Sequence, residues 1–416
     1  GLNEDEWPKG DAAPSMIPYS MRKAFGLPGI DDQDAMYSYY FYRLIQRTEE
    51  VTATWNSVRE ALSGGELSRL GFQLELHSPH QVVKRNFDYP LMKNNWTPLT
   101  AVSSETTARR LLDYNLKEKP LSPSAIVAFL HCRMKFYLSY VVGLREEEEV
   151  KEDIDRMVFG NIFHKAMETL YLPFTGKIMQ EADFSVLLND KGRIEKAVME
   201  AFTSEFYKSY KGKETDIPLE GKALLIKSTV MAYIRNVLEY DQEQAPITLV
   251  SLEKPCNAEL QVDIDGHIRQ LRIGGRSDRL DEKEGILRIV DYKTGTLKSG
   301  NMRFPTFEQL FDTSRKELKK EAIQSLIYAW IVHRQENGSI PVKAAVYPVL
   351  SVKKGMGNSD VMMDKSTVVM PESSGMVESF LQEILRDIYS QKTEFFQTPF
   401  SDRCSYCSFS GICRRG

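Results

Sequence analysis

Two neighbouring strings carry residue types suited to work on phosphate esters. Gly275-Arg276-Ser277-Asp278-Arg279 is followed by Asp291-Tyr292-Lys293-Thr294-Gly295. The second string closes ILRIVDYK, an apolar, β-branched run that reads as a strand. Side chains two apart on a strand share a face, so Asp291 and Lys293 point one way and Tyr292 the other. The polar DEKEG between the strings is a turn that folds the strand bearing Asp278 back beside this one. Two carboxylates and an ammonium group then converge at one end of a sheet. Carboxylate oxygens are the ligands that hard cations such as Mg²⁺ or Mn²⁺ prefer. A cation held there polarises a phosphoryl oxygen and lowers the pKa of an attacking water. A lysine beside it orients that water or stabilises developing negative charge. A bare D-x-K pair is usually a surface ion pair; the acidic residue on the neighbouring strand shifts the reading towards catalysis.

The elements that must position these groups follow from periodicity. Ser122 is the N-cap expected for a helix running to about Leu144. Further helices are expected over about Ile154–Leu172 and Lys222–Glu239. On the first of these, Val158, Ile162, Ala166 and Leu170 centre an apolar face, with His164 nearly opposite. The pattern then switches to strands: ITLVSLEK, NAELQVDI, IRQLRIGG and ILRIVDYK, with Asp265-Gly266 as a hairpin signal. A helix over about Lys320–Gln335 brings Gln324 and Tyr328 to one face at i,i+4. The strand VKAAVYPVL and a helix over about Met376–Ser390 follow. This order predicts a mixed α/β (α+β) fold, a small mixed sheet flanked by helices. Upstream the texture differs. The aromatic DDQDAMYSYYFYRLIQRTEE is a helix candidate, EEVTATWN is β-rich, and Gly64-Gly65 marks a break. The expected division is 1–78, a connecting region 79–120, partly helical, and 121–416.

Composition sets limits. The 416 residues are 42% hydrophobic and 27% charged, with a net charge of −4, an ordinary globular balance. There is no global basic field, so a nucleic-acid surface would have to be local. Arg276, Arg279 and Lys298, beside the acidic strings, are its candidates. The first residues are acidic and polar, unlike a signal peptide. The longest apolar run, around Ser325–Val332, falls short of the ~20 residues that span a bilayer. The expectation is a cytoplasmic chain with no membrane partner. Five cysteines argue against a disulfide framework. Cys404, Cys407 and Cys413 form C-x2-C-x5-C, and Cys132 is the candidate fourth ligand for a metal site that suits iron–sulfur or zinc. Cys256, alone in a strand, reads as a small buried hydrophobe.

GRSDRL…ILRIVDYKTG resembles the core of the PD-(D/E)XK nucleases, in particular their RecB-like branch. That resemblance implies metal ligation by Asp278 and Asp291 and a catalytic role for Lys293. Gly160-Asn161-Ile162-Phe163-His164 is similar to the branch's G-x-x-x-H string, which makes His164 a further metal ligand. Gln324 and Tyr328 match its Q-x-x-x-Y pair, implying a DNA-contacting or site-shaping role. SPSAIVAFLHCRMKFYLSYVVGL resembles the region of the first cluster cysteine, with Arg133 where proline is usual. The implied cofactors are Mg²⁺ or Mn²⁺ and a structural [4Fe–4S] cluster on Cys132, Cys404, Cys407 and Cys413, as in AddB-type nuclease domains; zinc is the alternative at the cysteines. GLNEDEWP and YSYYFYRLIQRTEEVTATW resemble the closing part of a superfamily I helicase motor. Arg47 is nearest to its nucleotide-reaching arginine, although Arg47-Thr48 inverts the usual order. GGELSRLGFQL resembles the linker entering the nuclease.

No G-x-x-x-x-G-K-[ST] loop occurs in the sequence, so no complete ATPase is expected in this chain. The implied activity is DNA phosphodiester hydrolysis, acting from an end. The chain would be the nuclease portion of a helicase–nuclease in double-strand-break repair and recombination, with DNA and a helicase/nuclease partner subunit as its partners. The alternatives are a catalytically idle DNA-binding or scaffold subunit, a stand-alone iron–sulfur nuclease of the CRISPR-adaptation type, and a restriction-type endonuclease. The intact acidic and lysine set argues against the first, the helicase-like N-terminus against the second, and the lack of a sequence-reading domain against the third.

Overall fold

A computed structural model of the chain describes residues 1–4, 7, 17–57, 65–79, 81–87, 97–144, 154–207, 221–297, 299–352 and 359–415. The chain divides into two compact units, 1–95 and 96–416. In the first, helices Ile30–Ile45 and Arg69–His77 bury Phe41 and Leu70 together with Leu2. Ser68 caps the second helix by accepting from the Leu70 N–H. The aromatic helix forms, and Arg47 lies in the turn beyond it. The β-rich reading of EEVTATWN does not hold, since residues 51–57 join no ladder. The Thr54 carbonyl instead accepts from Leu2, and the Asn56 N–H donates to the Asn3 side chain. Gly64 and Lys298 lie outside the described residues.

The second unit is a sheet between helices. Helices α1 (Pro123–His131), α2 (Arg156–Tyr171) and α3 (Lys222–Gln244) come first. Strands β1 (Ile247–Ile264), β2 (His267–Lys283) and β3 (Ile286–Lys293) then form an antiparallel meander. Helix α4 (Lys320–Gln335) crosses over to β4 (Val342–Pro348), which lies parallel to β3. Helix α5 (Ser374–Tyr389) follows. Short strands Ile178–Met179 and Val369–Met370 flank β1 and β4. This is the mixed sheet with flanking helices that the sequence predicts. Both hairpins turn through two consecutive left-handed residues, Asp265-Gly266 and Glu284-Gly285, the geometry that matches strand twist. The strands are longer than expected, because pairing continues through Pro255 and through Ser277.

Alternation along the strands creates two cores. Leu287 and Ile289 of β3, with Ala344 and Val346 of β4, pack with α4 and α5. Val290, Tyr292, Ala345 and Tyr347 pack on the other face with α2 and α3. Helix α1 ends at His131, short of Leu144. Cys132 is extended (φ −163, ψ 112) before a new turn at Arg133–Phe136. Helix α3 outruns its expected end near Glu239 and carries Asp241 into the interior. Residues 100–115 pack within this unit. Thr100–Val102 pairs with Glu394–Phe396, and Asn115 bonds the backbone of Arg272 in both directions, at 2.8 and 2.9 Å.

Candidate active site

The splayed ends of β2 and β3 bring the acidic strings together. The two strands pair as far as Arg279–Val290, which leaves Asp278 and Asp291 next to each other beyond the ladder. The Tyr292 N–H donates to Asp278 Oδ2 at 2.9 Å. Lys293 Nζ lies 3.0 Å from Asp291 Oδ1 and 2.9 Å from Oδ2. The buried Oδ2 makes no contact of hydrogen-bond geometry, and the ammonium group lies against it as an ion pair. Helix α2 adds His164, whose Nδ1 lies 3.3 Å from Asp278 Oδ2 and 3.8 Å from Glu253 Oε1.

Glu253 is the site residue that sequence reasoning missed. It sits on β1 between the pairs Leu252–Arg279 and Lys254–Ser277, hence opposite Asp278. Its φ of 45° is left-handed, a strain that non-glycine residues rarely carry. The one available signal was an acidic residue inside the β-rich run ITLVSLEK. The donor atoms of His164, Glu253 and Asp278 all lie within 4.8 Å of one another. One nitrogen and two carboxylates make a donor set suited to a hard divalent cation, and Asp291 is close enough to feel the charges of Asp278 and His164.

The electrostatics show uncompensated acid. Burial pushes the Asp291 carboxyl up to about 6, against the pull of Lys293. Burial draws the His164 imidazole down, but hydrogen bonds to Asp278 and Glu253 outweigh it and push it up to about 10. Lys293 is raised as well, since Asp291 outweighs its burial. Crowded carboxylates hold protons and cations tightly for the same reason: each additional positive charge relieves their repulsion.

Gln324 and Tyr328 of α4 join Arg276, Asp278 and Asp291 around a cavity of about 50 Å³, room for ordered water. A Cβ at Gly275 would stand 2.5 Å from Tyr328 Oη, so only glycine lets that hydroxyl reach the β2 backbone. Gln324 Nε2 approaches Ser124 Oγ at 3.4 Å. Arg279 lies apart from this cavity. It points to the reverse face, fully buried, and its Nη2 is 2.6 Å from Asp281 Oδ2. The expectation that it contacts DNA phosphate is therefore corrected: neighbouring strand residues face opposite sides, and a sealed guanidinium cannot meet a ligand.

A second site gathers the cysteines. Cys132, Cys404, Cys407 and Cys413 line one cavity with His131 and Arg403. All four are free thiols. Arg403 donates to the carbonyls of His131 at 2.9 Å, Lys316 at 3.3 Å and Arg315, which fastens the Cys404 turn against the end of α1. Cys256 is buried in β1, and burial pushes its thiol up to about 11.

Comparison with known proteins identifies the family. The sequence profile of the PD-(D/E)XK nuclease superfamily matches residues 120–414. The B-type subunit of an ATP-dependent helicase/deoxyribonuclease from Streptococcus agalactiae serotype Ia is 24% identical over 62% of this chain and 22% of its own length. A protein of the same description from Streptococcus pneumoniae serotype 19F is 24% identical over 70% of this chain and 26% of its own. The exonuclease/helicase subunit RexB of Streptococcus pneumoniae serotype 4 matches at the same identity and coverage of this chain. The chain thus spans about a quarter of the length of these curated relatives.

Proposed function

The chain belongs to the PD-(D/E)XK nuclease superfamily, and we propose that it is a Mg²⁺- or Mn²⁺-dependent deoxyribonuclease acting from DNA ends. The observation that carries this reading is the convergence of His164, Glu253 and Asp278 beside the Asp291–Lys293 pair. His164, Glu253, Asp278 and Asp291 would hold the cation. When bound, such a cation supplies Lewis acidity and a water of lowered pKa. The chain's own groups do the rest. Lys293 keeps its proton and offers N–H donors to the attacking water or to a non-bridging phosphoryl oxygen. Asp291 fixes where that ammonium group sits. Arg276, at the cavity rim, meets the phosphate backbone, and Tyr328 and Gln324 shape the wall along which the strand lies.

The relatives' descriptions support DNA as substrate and a helicase/nuclease complex as setting. We read the chain as the nuclease portion of such a complex in double-strand-break repair and recombination, in the cytoplasm, alongside a partner subunit. Among the described residues no helix is long and apolar enough to cross a membrane. Residues 1–78 are read as the end of a helicase-like motor, and 121–416 as the nuclease. At the cysteines we read a [4Fe–4S] cluster, with zinc as the alternative. Four thiols lining one cavity make a donor set of the kind that holds a metal centre.

The test is to incubate protein purified without oxygen with end-labelled linear and circular single-stranded DNA and Mn²⁺. Lys293→Ala, prepared identically, is the control. Degradation by the wild type alone, with the circle spared, is the expected result. DNA binding without cleavage under these conditions, the cluster being intact, would favour a scaffold protein.

A further inference from the structure

The segments that carry the charged groups meet again on the other side of the sheet. Tyr171 lies two helical turns after His164 on α2, so both lie on one side of that helix. Arg279 follows Asp278 on β2, and Tyr292 sits between Asp291 and Lys293 on β3. All of these converge on Asp241 of α3. Its Oδ2 accepts from Tyr171 Oη and from Arg279 Nη1, each at 2.5 Å. Its Oδ1 accepts from Tyr347 Oη of β4 at 3.2 Å and from Arg279 Nη2 at 3.3 Å. Arg279 Nη1 also donates to Tyr292 Oη at 3.2 Å. Asp241 and Arg279 are both fully buried.

We infer that Asp241 is a positioning residue for the metal-binding groups. Through Tyr171 it sets α2 and thereby His164; through Arg279 and Tyr292 it sets β2 and β3 and thereby Asp278 and Asp291. Apolar packing around these elements is non-directional and tolerates small slides of a helix over a sheet. A buried carboxylate with four donors is directional, and its bonds strengthen in low dielectric. One carboxylate thus bonds α2, β2 and β4, which are far apart in sequence, and reaches β3 through Arg279. Partners bonded directly to metal ligands govern metal affinity; Asp241 acts one step further back, through the backbones that carry them. The inference rests on the metal assignment made above.

Tyr171→Phe and Tyr347→Phe test it. Each removes one buried hydroxyl from Asp241, but Tyr347 lies on a strand that carries none of the charged site residues. Mn²⁺ affinity of the full chain would be measured by calorimetry or electron paramagnetic resonance, with thermal stability recorded alongside. The expectation is that Tyr171→Phe weakens Mn²⁺ binding about tenfold, while Tyr347→Phe leaves it nearly unchanged for a comparable loss of stability. Equal effects in the two variants, or an unchanged affinity in Tyr171→Phe, would reduce Asp241 to a neutralised core charge. If the wild type binds no Mn²⁺ and His164→Ala behaves identically, the metal assignment itself fails, and the inference with it. If the wild type binds, His164→Ala abolishes binding and Tyr171→Phe does not weaken it, only the positioning role fails.

Discussion

The side of β2 and β3 that faces α4 carries Asp278, Asp291 and Lys293, at 17%, 21% and 32% side-chain exposure. The opposite side carries Arg279, Asp281 and Arg288, sealed with Asp241 at 0–2%. The sealed side is balanced, two carboxylates against two guanidiniums, with Arg288 Nε 2.6 Å from Asp281 Oδ1. The half-open side is not: Asp278, Asp291 and Glu253 share two close cations, Lys293 and His164. A balanced, dry cluster has nothing left to offer a ligand. An unbalanced one beside a cavity stores repulsion that an arriving cation or phosphate-bound metal relieves. Burial and charge sum, more than the presence of charged residues, separate the two.

The sharpest way to break the comparison is Lys293→Ala. On the half-open side it should abolish cleavage, by about 10³-fold in rate, with urea denaturation unchanged within roughly 0.5 kcal/mol. A large stability loss would mean that this side too is structural. Next, Arg279→Met leaves Asp241 and Asp281 buried without their shared partner. The fold should lose about 3–5 kcal/mol in the same denaturation experiment, whatever happens to activity. Third, Gly275→Ala drives a methyl into Tyr328 Oη, which should cost roughly 1–3 kcal/mol and lower cleavage without touching a charged group. Smallest of all, Cys256 lies in β1 on the α4 side of the sheet yet is buried. Its thiol, raised to about 11, stays protonated at pH 8 and should resist alkylation in the folded chain, as mass spectrometry would show.

Asp278, Asp291 and Lys293 were legible because a strand's period of two and one short turn determine their convergence locally. His164, Gln324 and Tyr328 were legible through string patterns on helices whose bounds followed from periodicity. Glu253 was not: its approach to Asp278 depends on register between β1 and β2 and on a left-handed backbone at a non-glycine residue, and neither has a local signature. Arg279 was misread because depth is not written in a residue type. Its partner Asp241 comes 38 residues earlier, on a helix whose expected end stopped just short of it. The break at Cys132 was hidden within a run that reads as continuous helix.

The cysteine cavity sets a schedule for biosynthesis. Cys413 leaves the ribosome about 280 residues after Cys132, which at roughly 5–20 residues per second is between a quarter of a minute and a full minute. For nearly all of that interval Cys132 lacks its three cavity companions, and every strand of the main sheet is made before they arrive. A group bound by all four sulfurs could be loaded only into a chain whose sheet has already been translated, so its loading would report on folding and could not guide the first steps.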